Sequence, residues 1–272
     1  MKLCITSWSF PACTLQEAWD ITKALGIGHI DLGLLYKAGL DRAAVLADPQ
    51  AAAAKVAAMG VKPSNLYWFF GATHFEREIS NPANHVDNLA DFEKVTDFAT
   101  ALNIPTIFVL PGVTRPGHSV QELLGYSAKA LNKMAAMCRS KGIQLTLEPH
   151  VGGLLTSPDM CLEFLGQVDG LKLCLDYAHF SCMGFPQNQI DPLAAHAGHI
   201  HLRQARPGEL QAKMDEGTLD FTAMVEILRA GGYDGFLSIE YVHQNYMNTI
   251  FDDVLTETVR MRDLMRACGV DG

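Results

Sequence analysis

Four apolar segments in the second half of the chain end in side chains that can bind a metal ion. The segments are residues 144–150, 171–179, 199–203 and 235–241. Each has the apolar character of a strand buried on both faces of a parallel sheet, with a ligand-type side chain near its carboxyl end. A buried carboxylate there needs a cation, a metal ion or a helix terminus beside it. The pattern predicts one shared metal site formed by Glu148, Asp176, His201 and Glu240.

Three carboxylates and one imidazole make a mostly hard set of ligands. Such a set suits one divalent cation with two open octahedral positions, so we expect Mn²⁺, Mg²⁺ or Co²⁺ rather than a structural zinc, with Zn²⁺ as an alternative. The open positions would accept substrate oxygens. A structural network of ion pairs is the competing interpretation, because a single strand-end Asp, Glu or His often only caps a helix or forms a salt bridge.

Two further side chains should face the same site. Arg203 lies two residues beyond His201, and strand alternation points both to the same interior face, where Arg203 could pair with a substrate oxygen or hold a ligand carboxylate. His150 follows Glu148 by two residues and is also expected to face inward. It could contact substrate or support the ligands.

The elements that must position these residues alternate along the whole chain. Besides the four site segments, strands are predicted at Lys2–Phe10, His29–Leu35, Val61–Trp68 and Thr106–Leu110. Helices are predicted at Leu15–Leu25, Ala43–Met59, Asn84–Leu102, Val120–Lys141, Pro158–Leu165, around Pro192–Ala197, Phe221–Ala230 and Asp252–Ala267. Eight strand and helix pairs without a linker predict an α/β fold, a (β/α)8 barrel forming a single domain over residues 1–272, with a doubly wound open sheet as the alternative.

Composition excludes several classes of protein. A hydrophobic fraction of 49% supports a large core, and charged residues at 19% are too few for a disordered chain. The formal net charge of -9 argues against nucleic acid or an anionic membrane surface as a partner. The 7 cysteines show no C-x-x-C spacing, so free thiols are expected. With no signal sequence or membrane-spanning segment evident, a cytoplasmic location is expected.

The ligand pattern resembles a known family. Glu148, the motif Asp176-x-x-His179, His201 and Glu240, spread over four successive strands, are similar to the xylose isomerase-like TIM-barrel superfamily of sugar isomerases and epimerases, inosose dehydratases and endonuclease IV. The resemblance implies that the four predicted ligands bind the metal and that His179 contacts substrate. It also implies that Glu148 and Glu240 act as an acid and base pair.

The resemblance predicts a divalent-metal-dependent sugar isomerase or epimerase that works by proton transfer through a metal-stabilised enediolate. A metal-dependent dehydratase of a keto-polyol such as inosose or dehydroshikimate is the alternative, and a non-catalytic sugar-binding barrel is a third. Endonuclease IV is disfavoured, because it needs a histidine where this chain has Leu110.

The expected substrate is a small carbohydrate. Trp8 and Trp68 lie at the ends of the first and third predicted strands and are expected to line its pocket, with core packing as the alternative for each. Residues 242–246, which follow the last strand, contain no glycine, so an unphosphorylated sugar is favoured. Homo-oligomerisation is left open.

Overall fold

The computed structural model describes residues 1–243 and 253–271. Its eight strands are β1 (Lys2–Thr6), β2 (Ile30–Leu32), β3 (Pro63–Tyr67), β4 (Thr106–Val109), β5 (Gln144–Leu147), β6 (Lys172–Asp176), β7 (Ala197–Leu202) and β8 (Phe236–Ile239). All pair in parallel in chain order, and β1 also pairs with β8, which closes the barrel. The predicted (β/α)8 barrel is therefore confirmed, and the open sheet is excluded.

Helices separate the strands and cover the outside of the barrel. They are α1 (Leu15–Ala24), α2 (Arg42–Ala47), α3 (Pro49–Ala58), α4 (His85–Ala101), α5 (Val120–Ser140), α6 (Pro158–Leu165), α7 (Tyr177–Cys182), α8 (Gln187–Ile190), α9 (Phe221–Ala230) and α10 (Val254–Ala267). Short 3-10 turns occur at Ser7–Ser9, Pro82–Asn84 and Asp191–His196. None of these helices is long and apolar enough to cross a bilayer, within the described residues.

The predicted helix over residues 43–59 was wrong in one respect, because the chain forms two helices there. Asp48 has an extended backbone and its side chain accepts a hydrogen bond from the Ala51 amide, which caps α3. Pro49 then occupies the first position of α3. A proline removes one amide donor and disfavours a helical conformation in the residue before it, so the helix is interrupted at this dipeptide.

The first two predicted strands are each four residues shorter than expected. The first ends at Thr6, and Trp8 lies in the 3-10 turn that follows it. The second covers only Ile30–Leu32. Since strands in this barrel end early, the residues after them belong to loops at its carboxyl end, where barrel enzymes place their chemistry.

The buried apolar side chains form two clusters. The main core lies between the strands and the covering helices and includes Trp19, Trp68 and Phe92. A second, smaller cluster comprises Trp8, Tyr67, Phe69, Phe108, Cys174 and Val242. Tyr67 and Trp68 are consecutive and fall in different clusters, so the two clusters lie on opposite faces of the sheet. The main core contains the helix residues Trp19 and Phe92 and therefore lies outside the barrel, which leaves the smaller cluster inside it.

Candidate active site

The four predicted ligands lie at one end of the barrel. Asp176 is the last residue of β6 and His201 lies in β7, where the two are paired in register. Glu148 follows β5 directly and Glu240 follows β8 directly. Since all strands are parallel, all four side chains come from the carboxyl edge of the sheet, as the sequence pattern predicted.

The four side chains converge. Oxygen atoms of Glu148, Asp176 and Glu240 all lie within 4.8 Å of one another. His201 Nδ1 lies 2.9 Å from Glu148 Oε1 and 3.2 Å from Glu240 Oε2. All four residues are buried. Three carboxylates this close need positive charge beside them, because like charges repel strongly out of water.

A cavity of about 320 Å³ opens above this cluster. Its lining combines two of the carboxylates with aromatic and basic side chains: Trp8, Leu35, Tyr36, Tyr67, His74, Phe108, Glu148, His150, Arg203 and Glu240. Trp8 Nε1 donates a 2.7 Å hydrogen bond to Glu240 Oε1. An apolar wall with a few convergent polar groups is typical of a small-molecule site.

Arg203 is the strongest cation at the cluster. Its Nε and one terminal nitrogen lie 2.8 Å and 2.6 Å from Asp176 Oδ2. The same terminal nitrogen lies 3.3 Å from Glu240 Oε2 and 3.0 Å from His179 Nε2. The guanidinium is therefore shared between two of the predicted metal ligands. This contact fits the expected role in which Arg203 holds a ligand carboxylate.

Two residues predicted to contact substrate lie outside the cavity lining. Trp68 is fully buried in the main core, and its neighbour Tyr67 faces the cavity instead, because adjacent strand residues point to opposite sides of the sheet. His179 is fully buried beside the cluster, where its Nδ1 accepts a hydrogen bond from the Val151 amide. His150 and Trp8 do line the cavity.

A second polar layer, which sequence reasoning missed, lies beneath His201. Asp31 in β2 is fully buried, and its Oδ2 lies 2.7 Å from His199 Nε2 and 3.5 Å from His201 Nε2. Ser64 donates a 2.6 Å hydrogen bond to Asp31 Oδ1. Burial alone would raise the pKa of Asp31, but His199 and then His201 hold it below its usual range.

This layer decides which nitrogen of His201 can act as a ligand. Nε2 faces the Asp31 carboxylate and Nδ1 faces the carboxylates of Glu148 and Glu240. A proton on Nε2 leaves the Nδ1 lone pair available to a cation. The sequence contains part of this signal, since His199 and His201 share a strand face and Asp31 stands in the second predicted strand, but their contact follows only from the closed barrel.

Comparison with known families identifies the family of this chain. Residues 19–267 match the model of a family described as xylose isomerase-like TIM barrel. The chain belongs to this xylose isomerase-like family. The resemblance inferred from Asp176-x-x-His179 and the three other strand-end residues is thereby confirmed for the fold and the family.

Two curated relatives of this xylose isomerase-like chain match parts of it. An uncharacterised protein of Methanocaldococcus jannaschii is 28% identical over 131 residues, which cover 44% of this chain and 44% of that protein. The inosose isomerase of Halalkalibacterium halodurans is 23% identical over 181 residues, which cover 60% of this chain and 62% of the isomerase. The aligned regions thus span less than two thirds of either relative.

Solved structures match the xylose isomerase-like barrel over nearly its whole length. A D-tagatose 3-epimerase-like protein superposes with a TM-score of 0.74 at 18% identity, covering 99% of this chain and 98% of that chain. The IolI protein with a bound zinc atom gives a TM-score of 0.73 at 17% identity, covering 98% of each chain. An L-ribulose 3-epimerase gives 0.71 at 20% identity, covering 98% and 94%. These likenesses establish the shared fold.

The side chains of this family member suit a divalent cation. Glu240 Oε2 is buried and accepts no well-formed hydrogen bond from the described residues. Glu148 and Asp176 each place an oxygen in the same cluster, and His201 Nδ1 adds a nitrogen donor. Hard oxygens with one imidazole are appropriate ligands for Mg²⁺, Mn²⁺ or Zn²⁺, so the donor set fits a metal but does not select the ion.

The surroundings of Glu148 and Glu240 shift their pKa values in opposite directions. Burial raises the pKa of Glu148 to about 7, in spite of the nearby His201. Burial also acts on Glu240, but Arg203, then His201 and the Trp8 hydrogen bond outweigh it and lower the pKa of Glu240 to about 2. Without a bound metal, one carboxyl group of the pair therefore retains its proton more readily than the other.

Proposed function

We propose that this protein is a divalent-metal-dependent isomerase or epimerase of a small carbohydrate. The observation that carries the proposal is the convergence of Glu148 and Glu240, from strands that are not neighbours in the barrel, on the floor of one cavity. A binding protein needs no such pair of buried carboxylates, whereas proton transfer to and from carbon needs a base and an acid on the reacting atoms.

The proposed cation would be held by Glu148, Asp176, His201 and Glu240. When bound there, it would supply a Lewis acid that polarises a substrate carbonyl and an adjacent hydroxyl. Which ion serves is left to experiment, with Mn²⁺, Mg²⁺ and Co²⁺ proposed ahead of Zn²⁺. The zinc bound by the structurally similar IolI protein supports a divalent metal in this fold.

The proposed proton transfers use the two glutamates in turn. Trp8 holds Oε1 of Glu240, so this carboxylate is fixed in the cavity wall and need not reorient to take a proton from a substrate carbon. Glu148 lines the same cavity and can return a proton. Return to the neighbouring carbon isomerises the sugar, and return to the opposite face of the same carbon epimerises it.

The cavity supports an unphosphorylated sugar. Among its lining residues in the described part of the chain, Arg203 is the only Lys or Arg, and it is engaged with Asp176. A phosphate group would meet buried carboxylates and too little positive charge. Trp8, Tyr67 and Phe108 instead offer aromatic surface for the apolar face of a sugar ring.

A cytoplasmic location is part of the proposal. All 7 cysteines lie within the described residues, and each is a free thiol. This state supports a reducing compartment.

The test is hydrogen exchange at carbon. Purified protein loaded with Mn²⁺ is incubated in heavy water with a panel of ketoses, and each sugar is analysed by mass spectrometry and chromatography. We expect deuterium in one substrate together with a new isomer or epimer. Glu240→Gln should abolish both, and Glu163→Gln, which changes an exposed carboxylate of α6, should not.

The outcomes separate the candidate reactions. A product lighter by one water would identify a dehydratase instead of an isomerase. Absence of exchange with every sugar and every metal tested would reject proton transfer as the activity.

A further inference from the structure

The imidazole of His201 cannot by itself neutralise the three carboxylates of the cluster. Glu148, Asp176 and Glu240 bring three carboxylates to one buried place, and His201 contacts two of them. Asp176 is paired with Arg203, whose side chain is 3% exposed. A buried guanidinium in contact with two metal-ligand candidates is an unusual neighbour for a divalent cation, because both carry positive charge.

Arg203 occupies oxygen positions that a metal would also use. Asp176 Oδ1 accepts a hydrogen bond from the Ala178 amide at 2.8 Å, and Glu240 Oε1 accepts one from Trp8 at 2.7 Å. The other oxygen of each carboxylate faces the guanidinium, at 2.6 Å and 3.3 Å. A cation bound through these two oxygens, Asp176 Oδ2 and Glu240 Oε2, must therefore share them with Arg203 or displace it.

The guanidinium is itself held firmly. It donates to Asp176 through two nitrogens, and one of them lies 3.0 Å from His179 Nε2. His179 is in turn fixed by the Val151 amide. The site is thus organised around Arg203 before any metal arrives, and an arginine, which stays charged at all relevant pH values, cannot give up its charge to make room.

We propose that Arg203 is an internal counter-ion that competes with the divalent cation. In the metal-free protein it neutralises Asp176 and Glu240 and so keeps the barrel folded. In the metal-bound protein its charge weakens the affinity for the ion, which makes the ion exchangeable. This inference rests on the metal site of the proposed function and adds to it the residue that sets how tightly that site binds.

The test compares neutral and charged replacements of Arg203. Protein stripped with a chelator is titrated with MnCl₂ by isothermal titration calorimetry, and its melting temperature is measured with and without MnCl₂. We expect Arg203→Met to bind Mn²⁺ at least about tenfold more tightly than wild type, since it removes one positive charge beside the ion. Arg203→Lys keeps the charge and should bind within about threefold of wild type.

Stability gives an independent readout. Metal-free Arg203→Met should melt roughly 10 °C below wild type, because two buried carboxylates lose their partner, and MnCl₂ should restore most of the difference. Arg206→Met is the matched control. It removes an arginine from the same loop, where Arg206 pairs with Glu209 and its side chain is 41% exposed, so neither measurement should change.

Three outcomes would overturn the inference. Equal or weaker Mn²⁺ binding by folded Arg203→Met, with normal binding by wild type, would mean that Arg203 orients the ligands and does not compete, while the metal site itself would stand. If Arg203→Met and Arg203→Gln both fail to fold even with MnCl₂ present, charge neutralisation is not the role of this residue. Absence of Mn²⁺ binding by all proteins, wild type included, would reject the metal site and the inference together.

Discussion

Replacing Glu148 by Gln should stabilise the metal-free protein at neutral pH while removing its activity. Burial raises the pKa of Glu148 from an ordinary value of 4.5 to about 7. Between these two values the folded protein keeps a proton that the unfolded chain has lost. The contribution of Glu148 to the free energy of unfolding therefore falls as pH rises from 4.5 to about 7 and stays constant at higher pH.

The size of the effect follows from the shift in pKa. Each unit corresponds to about 1.4 kcal/mol, so ionising Glu148 costs the folded protein about 3 kcal/mol above pH 7. Glutamine resembles the protonated form at all pH values. We expect Glu148→Gln to equal wild type near pH 4.5 and to exceed its free energy of unfolding by about 3 kcal/mol at pH 8.

Urea denaturation of chelator-treated protein at several pH values between 4.5 and 8 measures this difference. Glu163→Gln serves as the control, because Glu163 is exposed and should show no widening gap. Adding MnCl₂ should reverse the order of stability, since the ion favours the ionised carboxylate that the glutamine variant lacks. The reasoning would be refuted if the difference in free energy of unfolding between Glu148→Gln and wild type did not change with pH, or if the variant were less stable than wild type at every pH.

Three further predictions concern the other contacts of the site. Asp31→Asn should weaken Mn²⁺ binding about 10- to 100-fold, measured by calorimetry, because His201 loses the carboxylate behind it. Trp8→Phe should lower kcat about tenfold or more and lower the melting temperature less than Arg203→Met does, because Glu240 loses one charge-assisted hydrogen bond in the cavity but keeps Arg203. Removing metal with a chelator should abolish deuterium exchange, and MnCl₂ should restore it; exchange that survives metal removal would contradict the proposed chemistry.

The convergence of the four ligand candidates was predictable from the sequence because two strong rules apply to it. Buried parallel strands appear as continuous apolar runs, and their carboxyl ends meet at one rim once the barrel closes. The alternation from His201 to Arg203 also predicted that the arginine side chain faces the site. Small errors in strand length did not disturb these residues, since each stands at the end of its strand.

Other features of the site depend on the exact strand register or on contacts between residues that are far apart in the sequence. Tyr67 and Trp68 differ by one position, and a one-residue uncertainty exchanges the inner and outer sides of a strand. The contact of Asp31 with His199 joins β2 to β7, which requires the barrel to be closed and its register known. The pairing of Arg203 with Asp176 depends on rotamers as well as on topology.

The hydrogen bond from Trp8 to Glu240 gives this protein a natural optical reporter. The chain has 3 tryptophans, and both Trp19 and Trp68 lie in the main core, outside the site. Trp8 alone among them touches a site carboxylate, and its ring centre lies 6.1 Å from that of His201. The emission of a single indole can therefore follow changes in charge at the bottom of the cavity, with no dye attached to the protein.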